Sequence, residues 1–397
     1  MALDIFTLPT EGGGFNLNNG KIVNGADKKT WIERYREASE FSIEGLVDAG
    51  LKEQMPIGHL VSHPDTDEVM MVEDHQIQSR QGLATTVVTG RSYEAILEGR
   101  IVGSNKAWTS PLQTYPPTPY ERPAEFAVLQ ARFVISEHID PELLIDDNDA
   151  LPQTNVAIDV AHINATYGPP LWEPEEAELD REPVYDTVLN VLAIDNLGIR
   201  TRRPRGLNLH DGLDNRYDPN GLTIQIYAGY DRRKSVQFSH RVGDIKEADY
   251  LWSNRIKKTS CLVFSRYFAV MVNGPETGYN RRVMTLDAKD LDEQYDYVVD
   301  GAIRARILAS MRNRGRAALA KKNAVAMSSV QIDDADHTFR FREHYSLGDY
   351  VSVFGEYNAT TELQVTEHVE IQDKTGYTSY PTLSEITGGY YVPIGRY

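Results

Sequence analysis

Cysteine is almost missing from this 397-residue chain: Cys261 stands alone, so no intrachain disulfide and no cysteine metal cluster can form. A single buried thiol is the role expected for it. No apolar run approaches the roughly 18 residues that a membrane helix needs. The opening, "MALDIFTLPTEGGGF", has neither a basic segment nor an apolar core of signal-peptide length. That reads as a protein made in the cytoplasm and not secreted by that route. Positive charge is also scarce, with 41 Lys and Arg against 58 Asp and Glu; the balance of −17 disfavours generic binding to nucleic acid, which needs a basic face. It suits a soluble acidic enzyme, or a surface that nucleic acid passes without sticking.

Catalytic signatures are equally thin. In "LATTVVTGRSYEAILEGRIV" (Leu83 to Val102) an apolar strand ends at Gly90 and a helical segment opens at Ser92. A phosphate loop would need more glycines and a Lys-Ser or Lys-Thr pair; a nucleophile elbow would need a second glycine after Ser92. The stretch reads as a structural corner, with Ser92 capping the helix. No paired-histidine zinc motif occurs. The acidic loops Asp146 to Ala150 and His210 to Gly221 lack the calcium-hand pattern and read as turns. Carboxylate pairs for glycoside hydrolysis meet in space, so the 58 acids offer candidates without singling any out. The basic span Arg304 to Lys322 reads as a solvated or subunit-facing helix surface. Asn164-Ala-Thr166 and Asn358-Ala-Thr360 match a glycosylation pattern that means nothing without secretion. No catalytic, cofactor-binding or metal-binding residue is assigned, and no cofactor is expected.

What the sequence does have is 41% hydrophobic and 25% charged residues, the balance of a globular chain, at a length that allows two to four domains. Its first hundred residues read mainly as strands and turns: "EFSIEGLV", "HLVS" and "VMMV", with "SHPDTDE" a hairpin loop. "KTWIERYREA" fits either a helical turn or a strand. "WTSPLQTYPPTPYERP" predicts an irregular connector, and "HIDPELLIDDNDALP" an acidic loop. Tyr185, Val188, Leu189 and Leu192 recur at helical spacing, with Gly198 as the stop. "GLTIQIYAGYDRRKSVQFSHRVGDI" and "SCLVFSRYFAVMV" read as strands. From Leu291 to Asn323 the spacing of Tyr295, Val299, Ile303, Ile307 and Met311 predicts the best helix of the chain, or two if Gly315 interrupts it. "HTFRFR", "LGDYVSVFG" and "ELQVTEHVEIQ" alternate as half-buried strands do.

An internal repeat emerges from these strands. "IGHLVS" (Ile57 to Ser62) precedes "EVMMVEDHQIQ" (Glu68 to Gln78), and "LGDYVS" (Leu347 to Ser352) precedes "ELQVTEHVEIQ" (Glu362 to Gln372). Gly58, Val61 and Ser62 match Gly348, Val351 and Ser352. Glu68, Glu73, Ile77 and Gln78 match Glu362, Glu367, Ile371 and Gln372, and both Glu73 and Glu367 interrupt the apolar face of their strand. Order and strand length agree as well as letters, so the chain is expected to fold one small antiparallel sheet or barrel twice.

"WIERYREASEFSIEGLV", "MPIGHLVSHPDTDEVMMVEDHQI" and "TTVVTGRSYEAILEGRIV" resemble the opening of a siphophage tail-hub family from phages of Gram-positive bacteria. "YAGYDRRKSVQFSHRVGDI", the Arg-rich helix and "YSLGDYVSVFG" are also similar to it. The resemblance covers most of the chain and is weakest between Ser104 and Pro183. It implies a β-rich, mixed α+β fold with two tail-tube-like antiparallel β-barrels per chain and inserted α/β domains, similar to the baseplate hub of contractile-tailed phages. The expected divisions are 1–103 (first tube-like β-barrel), 104–205 (inserted mixed domain with the Pro-rich connector), 206–275 (β-rich) and 276–397 (second tube-like β-barrel with the long helix).

The implied function is a structural, non-enzymatic tail-tip hub in the virion tail, a homotrimeric ring matching a sixfold tube above with two barrels per subunit. Its implied partners are distal tail or tube proteins above and a fibre, spike or lysin below, with DNA passing through the channel without specific binding and no membrane contact. The end at Tyr397 leaves no room for the hydrolase domain that some related tail-tip proteins carry. A peptidoglycan- or carbohydrate-active hydrolase and a receptor-binding adhesin stand as alternatives.

Overall fold

The computed structural model describes residues 3–8, 10–11, 14–15, 20–80, 83–101, 120–125, 131–132, 134–136, 154–158, 175–179, 183–192, 196–203, 221–239, 245–253, 257–274, 277–289, 301–320, 325–332, 338–354 and 360–384. It is a β-rich structure. The first part contains β1 (Phe6–Leu8), β2 (Thr10–Glu11), β3 (Gly14–Phe15), β4 (Lys21–Ile22), β5 (Ala26–Arg34), β6 (Glu40–Leu46), β7 (Leu60–Ser62), β8 (Val69–Arg80) and β9 (Leu83–Ser92). A middle part follows with β10 (Tyr120–Glu125), β11 (Thr154–Ile158), β12 (Glu175–Leu179), helix α1 (Val184–Leu192), β13 (Gly198–Arg202), β14 (Leu222–Tyr227) and β15 (Gln237–Ser239). The last part holds β16 (Ile245–Ser253), β17 (Ser260–Phe264), β18 (Ala269–Asn273), β19 (Val283–Asp287), helix α2 (Gly301–Ala320), β20 (Val325–Ile332), β21 (Tyr350–Phe354), β22 (Thr360–Asp373) and β23 (Gly376–Ser384).

Eleven strands form one sheet in the order β15-β21-β22-β5-β6-β9-β8-β7-β1-β4, with β23 on the remaining edge of β22. Alternation sets its two faces. The row Glu370, Trp31, Phe41, Gly90 and Val72 crosses four strand pairings and is buried. The next row, Ile371, Thr30, Ser42, Thr89 and Asp74, lies on the opposite, wetter face. Trp31 and Phe41 stack with ring centroids 6.3 Å apart inside a cluster with Ile43, Met70, Val72 and Val88. Each such side chain contributes about 1.5–3 kcal/mol on burial. Within "KTWIERYREA", Lys29 to Arg34 is therefore strand, with Trp31 and Glu33 buried at a period of two, and the chain bends from Tyr35.

The repeat is real, and it is more exact in backbone than in letters. Gly58 and Gly348 both sit in the left-handed region, at φ 84° and 85°. Gly58 N–H donates to Val72 O at 2.9 Å and Val72 N–H to His59 O at 2.9 Å; Gly348 N–H donates to Val365 O at 2.7 Å and Val365 N–H to Asp349 O at 2.9 Å. A register shift follows in both long strands, between Val72 and Asp74 and between Val365 and Glu367. Both hairpins then close on matching pairs, Arg80 with Leu83 and Asp373 with Gly376. This pairs Glu73 with Thr366 and His75 with His368, one residue away from the match that the letters suggest. The bulge stands at the same place in both copies, so no insertion separates them, and the letter match one residue away arises from alternation alone. Glu73 and Glu367 consequently do not interrupt the apolar face; both lie on the wetter face, bound to arginines.

The two copies share one continuous sheet through the β22–β5 pairing, Glu367–Gln372 against Lys29–Arg34. Among the described residues neither copy closes on itself as a barrel. Tyr35 pins the junction: its hydroxyl donates to Asn196 O at 2.7 Å, and both Gly198 and Gly348 make room for its ring, since a Cβ on either would lie 2.4 Å from it. Gly198 is thus a strand residue facing Tyr35 rather than the stop of α1; the left-handed residue after that helix is Asn196, at φ 54°.

Helix α1 packs Val184, Tyr185, Val188 and Leu192 against the three-stranded sheet β11-β14-β13. The sheet β18-β17-β19 has its own small core with α2, built from Cys261, Val263, Val272, Ile307 and Met311. Cys261 is buried, as expected. Helix α2 runs on through Gly315, because a Cβ there would lie 2.7 Å from Val272 and 2.8 Å from Val263; the glycine brings helix and sheet together. The part of this helix expected before Gly301 lies outside the described residues. Two further expectations are corrected: "YERP" belongs to β10, paired with β12, and "HTFRFR" makes only an isolated bridge, Phe341 to Tyr345.

Candidate functional site

The site offered by this fold is the duplicated sheet, with a charged seam on its buried side and a polar outer face. At the seam, Glu33 of the first copy meets His368 and Glu370 of the second. Arg342 lies between them, donating to Glu33 at 2.5 Å and reaching Glu370 at 3.0 Å. Trp31 Nε1 donates to Glu33 at 3.1 Å and the Tyr377 hydroxyl to Glu370 at 3.1 Å. His63 Nε2 lies 3.7 Å from Glu370, and Phe341 stacks on His368 at 3.7 Å. Burial alone would raise the Glu33 carboxyl, but the charge and hydrogen bond of Arg342 hold it at about 2. Burial lowers His63 below its ordinary value despite the nearby Glu370. Arg342 takes a left-handed backbone, φ 66°, to reach this position. The cluster is a clamp between copies, in which the Glu33 and Glu370 carboxylates share the Arg342 guanidinium.

The outer face is different in kind. Thr30, Ser42, Thr89 and Thr378 present hydroxyls across adjacent strands. Two arginines of this face are each held between two carboxylates: Arg34 between Glu40 at 2.7 Å and Glu367 at 2.9 Å, Arg91 between Glu73 and Glu98, both at 2.8 Å. Among the described residues this face mixes hydroxyls, carboxylates and apolar side chains with arginines that are already paired.

Elsewhere, two carboxylates are buried at the corner after β9. Glu94 accepts from the Thr201 hydroxyl at 2.6 Å, and burial raises both Glu94 and Glu68 above the usual range. Asp349 is also buried and raised by burial, while accepting from Tyr230 N–H, Ser346 N–H and Arg232. Ser92 does end a strand and precede a 3-10 helix, but its hydroxyl makes no cap bond there. It accepts Ser39 N–H at 3.0 Å instead and ties the corner to the β5–β6 connection. Gly90 is required because a Cβ would lie 1.8 Å from Met71 O. The corner is structural. Arg304 and Arg312 are exposed on α2. Asp146 to Ala150, Asn164 to Thr166, Asn358 and nearly all of His210 to Gly221 lie outside the described residues. Among the described residues no cluster of His, Cys, Asp or Glu is arranged to hold a metal ion, and no helix is long and apolar enough to cross a membrane.

The seam residues carry no signal in sequence, since Glu33, His63, Arg342, His368 and Glu370 come from distant positions with no shared spacing. The model of the siphovirus ReqiPepy6 Gp37-like proteins matches residues 14–383, almost the whole chain. The chain belongs to that siphovirus family. Three solved structures share its fold along nearly their full length. One is a 43 kDa tail protein of prophage MuSo2 from Shewanella oneidensis, 12% identical, with a TM-score of 0.55 over 96% of this chain and 98% of that one. A tail protein from Neisseria meningitidis MC58 is 11% identical, TM-score 0.53, covering 97% of each chain. Prophage tail protein gp18 from Listeria monocytogenes EGD-e is 10% identical, TM-score 0.51, over 97% of this chain and 95% of that one. No curated protein matches. The resemblance read along most of the chain therefore holds: this is a siphovirus family member with the phage tail-protein fold.

Proposed function

We propose that this Gp37-like chain is a structural hub of the virion tail tip: a homotrimeric ring that joins the tail tube to the receptor-binding apparatus and lines the channel through which DNA leaves. The observation that carries the reading is the duplicated unit, matched in turn, bulge and hairpin, which gives three chains six equivalent sectors. A threefold ring of such chains meets sixfold surroundings above and offers true threefold symmetry below to a fibre, spike or lysin. In this reading each copy is one tube-like β-barrel module whose closure is completed in the ring. The chain divides at about residues 103 and 205 into first module, mixed insertion and remainder; the division expected at 275 falls inside the second module, which takes β16 from before it and β20 to β23 from after it. The wetter sheet face lines the channel. Its hydroxyls and clamped arginines let DNA slide without specific contacts, consistent with the excess of 58 acids over 41 bases.

The role is non-enzymatic, supported by family and fold and by carboxylates committed to ion pairs and hydrogen bonds. Mass measurement of the purified protein and of isolated tail tips is expected to give threefold stoichiometry. A monomer within assembled tails overturns the proposal. Zymography on host cell walls is expected to show no lytic band.

A further inference from the structure

The two ends of the duplicated sheet are its unassigned feature. The first copy runs β5-β6-β9-β8 across the sheet. The second has the same elements in the same chain order: β16 pairs with β20 as a separate two-stranded sheet, β20 lies alongside β23, and β23 pairs with β22. β16 reproduces β5 in detail. Both are nine residues long, and both shift register one residue after their first pair, between Ala26 and Lys28 against β6 and between Ile245 and Glu247 against β20. Inside the chain, the last strand of the second copy offers its outer edge to the first strand of the first copy, β22 to β5. In the first copy the outer edge of β8 is covered by β7 only at Val69–Met71, and among the described residues no strand covers it at Asp74–Ser79; nor does one cover the outer edge of β16.

Exposure shows what is missing. Glu370, under β5, is 2% exposed, whereas Ile77, its counterpart on β8, is 62% exposed. An isoleucine left in water at a position that is core in the other copy marks an uncovered contact. The backbone agrees. Counting from the closing pair Arg80 and Leu83, alternation directs the N–H and C=O groups of His75, Ile77 and Ser79 away from β9. Those are the counterparts of His368, Glu370 and Gln372, which stand opposite Glu33, Trp31 and Lys29.

We propose that β16 of a second copy of this chain adds antiparallel to the β8 edge at Asp74–Ser79, in the register that β5 uses on β22. Transferring that register places Ser253 opposite Asp74, Leu251 opposite Gln76 and Ala248 opposite Ser79. Strand addition supplies the main-chain partners that an open edge lacks. Because the two edges lie at opposite ends of one chain, the contact is head to tail and ends only when a ring closes. This rests on the ring reading above and adds which strands meet and in what register.

The test is a chain carrying Gln76→Cys and Leu251→Cys. That pair is the counterpart of Val369 and Ile32, a non-hydrogen-bonded position with Cα atoms about 4.5 Å apart, within reach of a disulfide. Mild oxidation is expected to link chains into covalent dimers and trimers, whereas Gln78→Cys with Leu251→Cys, out of register, links few. Buried Cys261 does not interfere. A native trimer by mass in which the first pair stays unlinked overturns the strand pairing while the ring stands; a monomer in assembled tails overturns both. Ile77→Pro removes one outward N–H and leaves the hairpin bonds intact. It is expected to keep a native-like melting curve and to lose the trimer, and a folded Ile77→Pro protein that remains trimeric overturns the proposal.

Discussion

The same hairpin occurs twice in this molecule in opposite circumstances. In the second copy the strand from Glu367 to Gln372 lies between β23 and β5, with His368 and Glu370 buried against Glu33, Arg342 and Tyr377. In the first copy the equivalent stretch, Asp74 to Ser79, has the same length, the same preceding bulge and the same hairpin closure, yet is mostly exposed. Backbone geometry was held constant while side chains followed their surroundings. Charged groups entered where a neighbour from the same chain neutralises them, and an isoleucine stayed where the chain provides no cover.

The contrast is sharpest at the seam. Arg342→Ala leaves Glu33 and Glu370 buried without their cation and is expected to cost about 3–5 kcal/mol. Chemical denaturation of the purified chain measures it, and a loss below about 1 kcal/mol would show the seam to be water-filled rather than cohesive. Next come the paired turn glycines. Gly348→Ala meets both a left-handed backbone and the Tyr35 ring at 2.4 Å, whereas Gly58→Ala meets the backbone cost with nothing within 4 Å. The expected losses are about 3 and about 1 kcal/mol. Equal losses would mean that Tyr35 has room to move.

Acid gives a smaller and more graded effect. His63 is held below its ordinary 6.5, so the unfolded chain binds its proton first, and stability falls as the pH drops through that value. Glu33, lowered from 4.5 to about 2, stabilises the fold above its unfolded value, and that contribution disappears between about 4.5 and 2. Glu68 and Glu94, raised by burial, act in the opposite sense, so the informative quantity is the difference between the melting curves of Glu33→Gln and the parent. That difference is expected to shrink as the pH falls below 4.5; a pH-independent difference would place the Glu33 effect in packing. The smallest effect is expected on the other copy. Ile77→Thr in the isolated chain should change stability by no more than about 0.5 kcal/mol, since its counterpart role is unfilled there.

Much of the β architecture was legible because a two-residue period and a glycine before a strand survive divergence. Gly58 and Gly348 were recognisable, as were the strands that follow them. The true register was not: alternating strands match almost as well one residue out, and the bulge at Glu73 and Thr366 leaves no mark in the sequence. The kinship of β5 and β16 was hidden for another reason, since the connection from β5 to β6 is short while that from β16 to β20 holds a small sheet and a helix. The seam was illegible altogether. Its partners meet only after the two copies join, and nothing about Arg342 between Phe341 and Glu343 announces a buried cation.

That unequal pair of connections has an evolutionary consequence. Where one module turns back within the five residues 35–39, its twin has admitted a folded insert with its own core, and the strand before it kept the same length and the same kink. Because the insert carries its own core, its length and packing can change without disturbing the strands on either side of it.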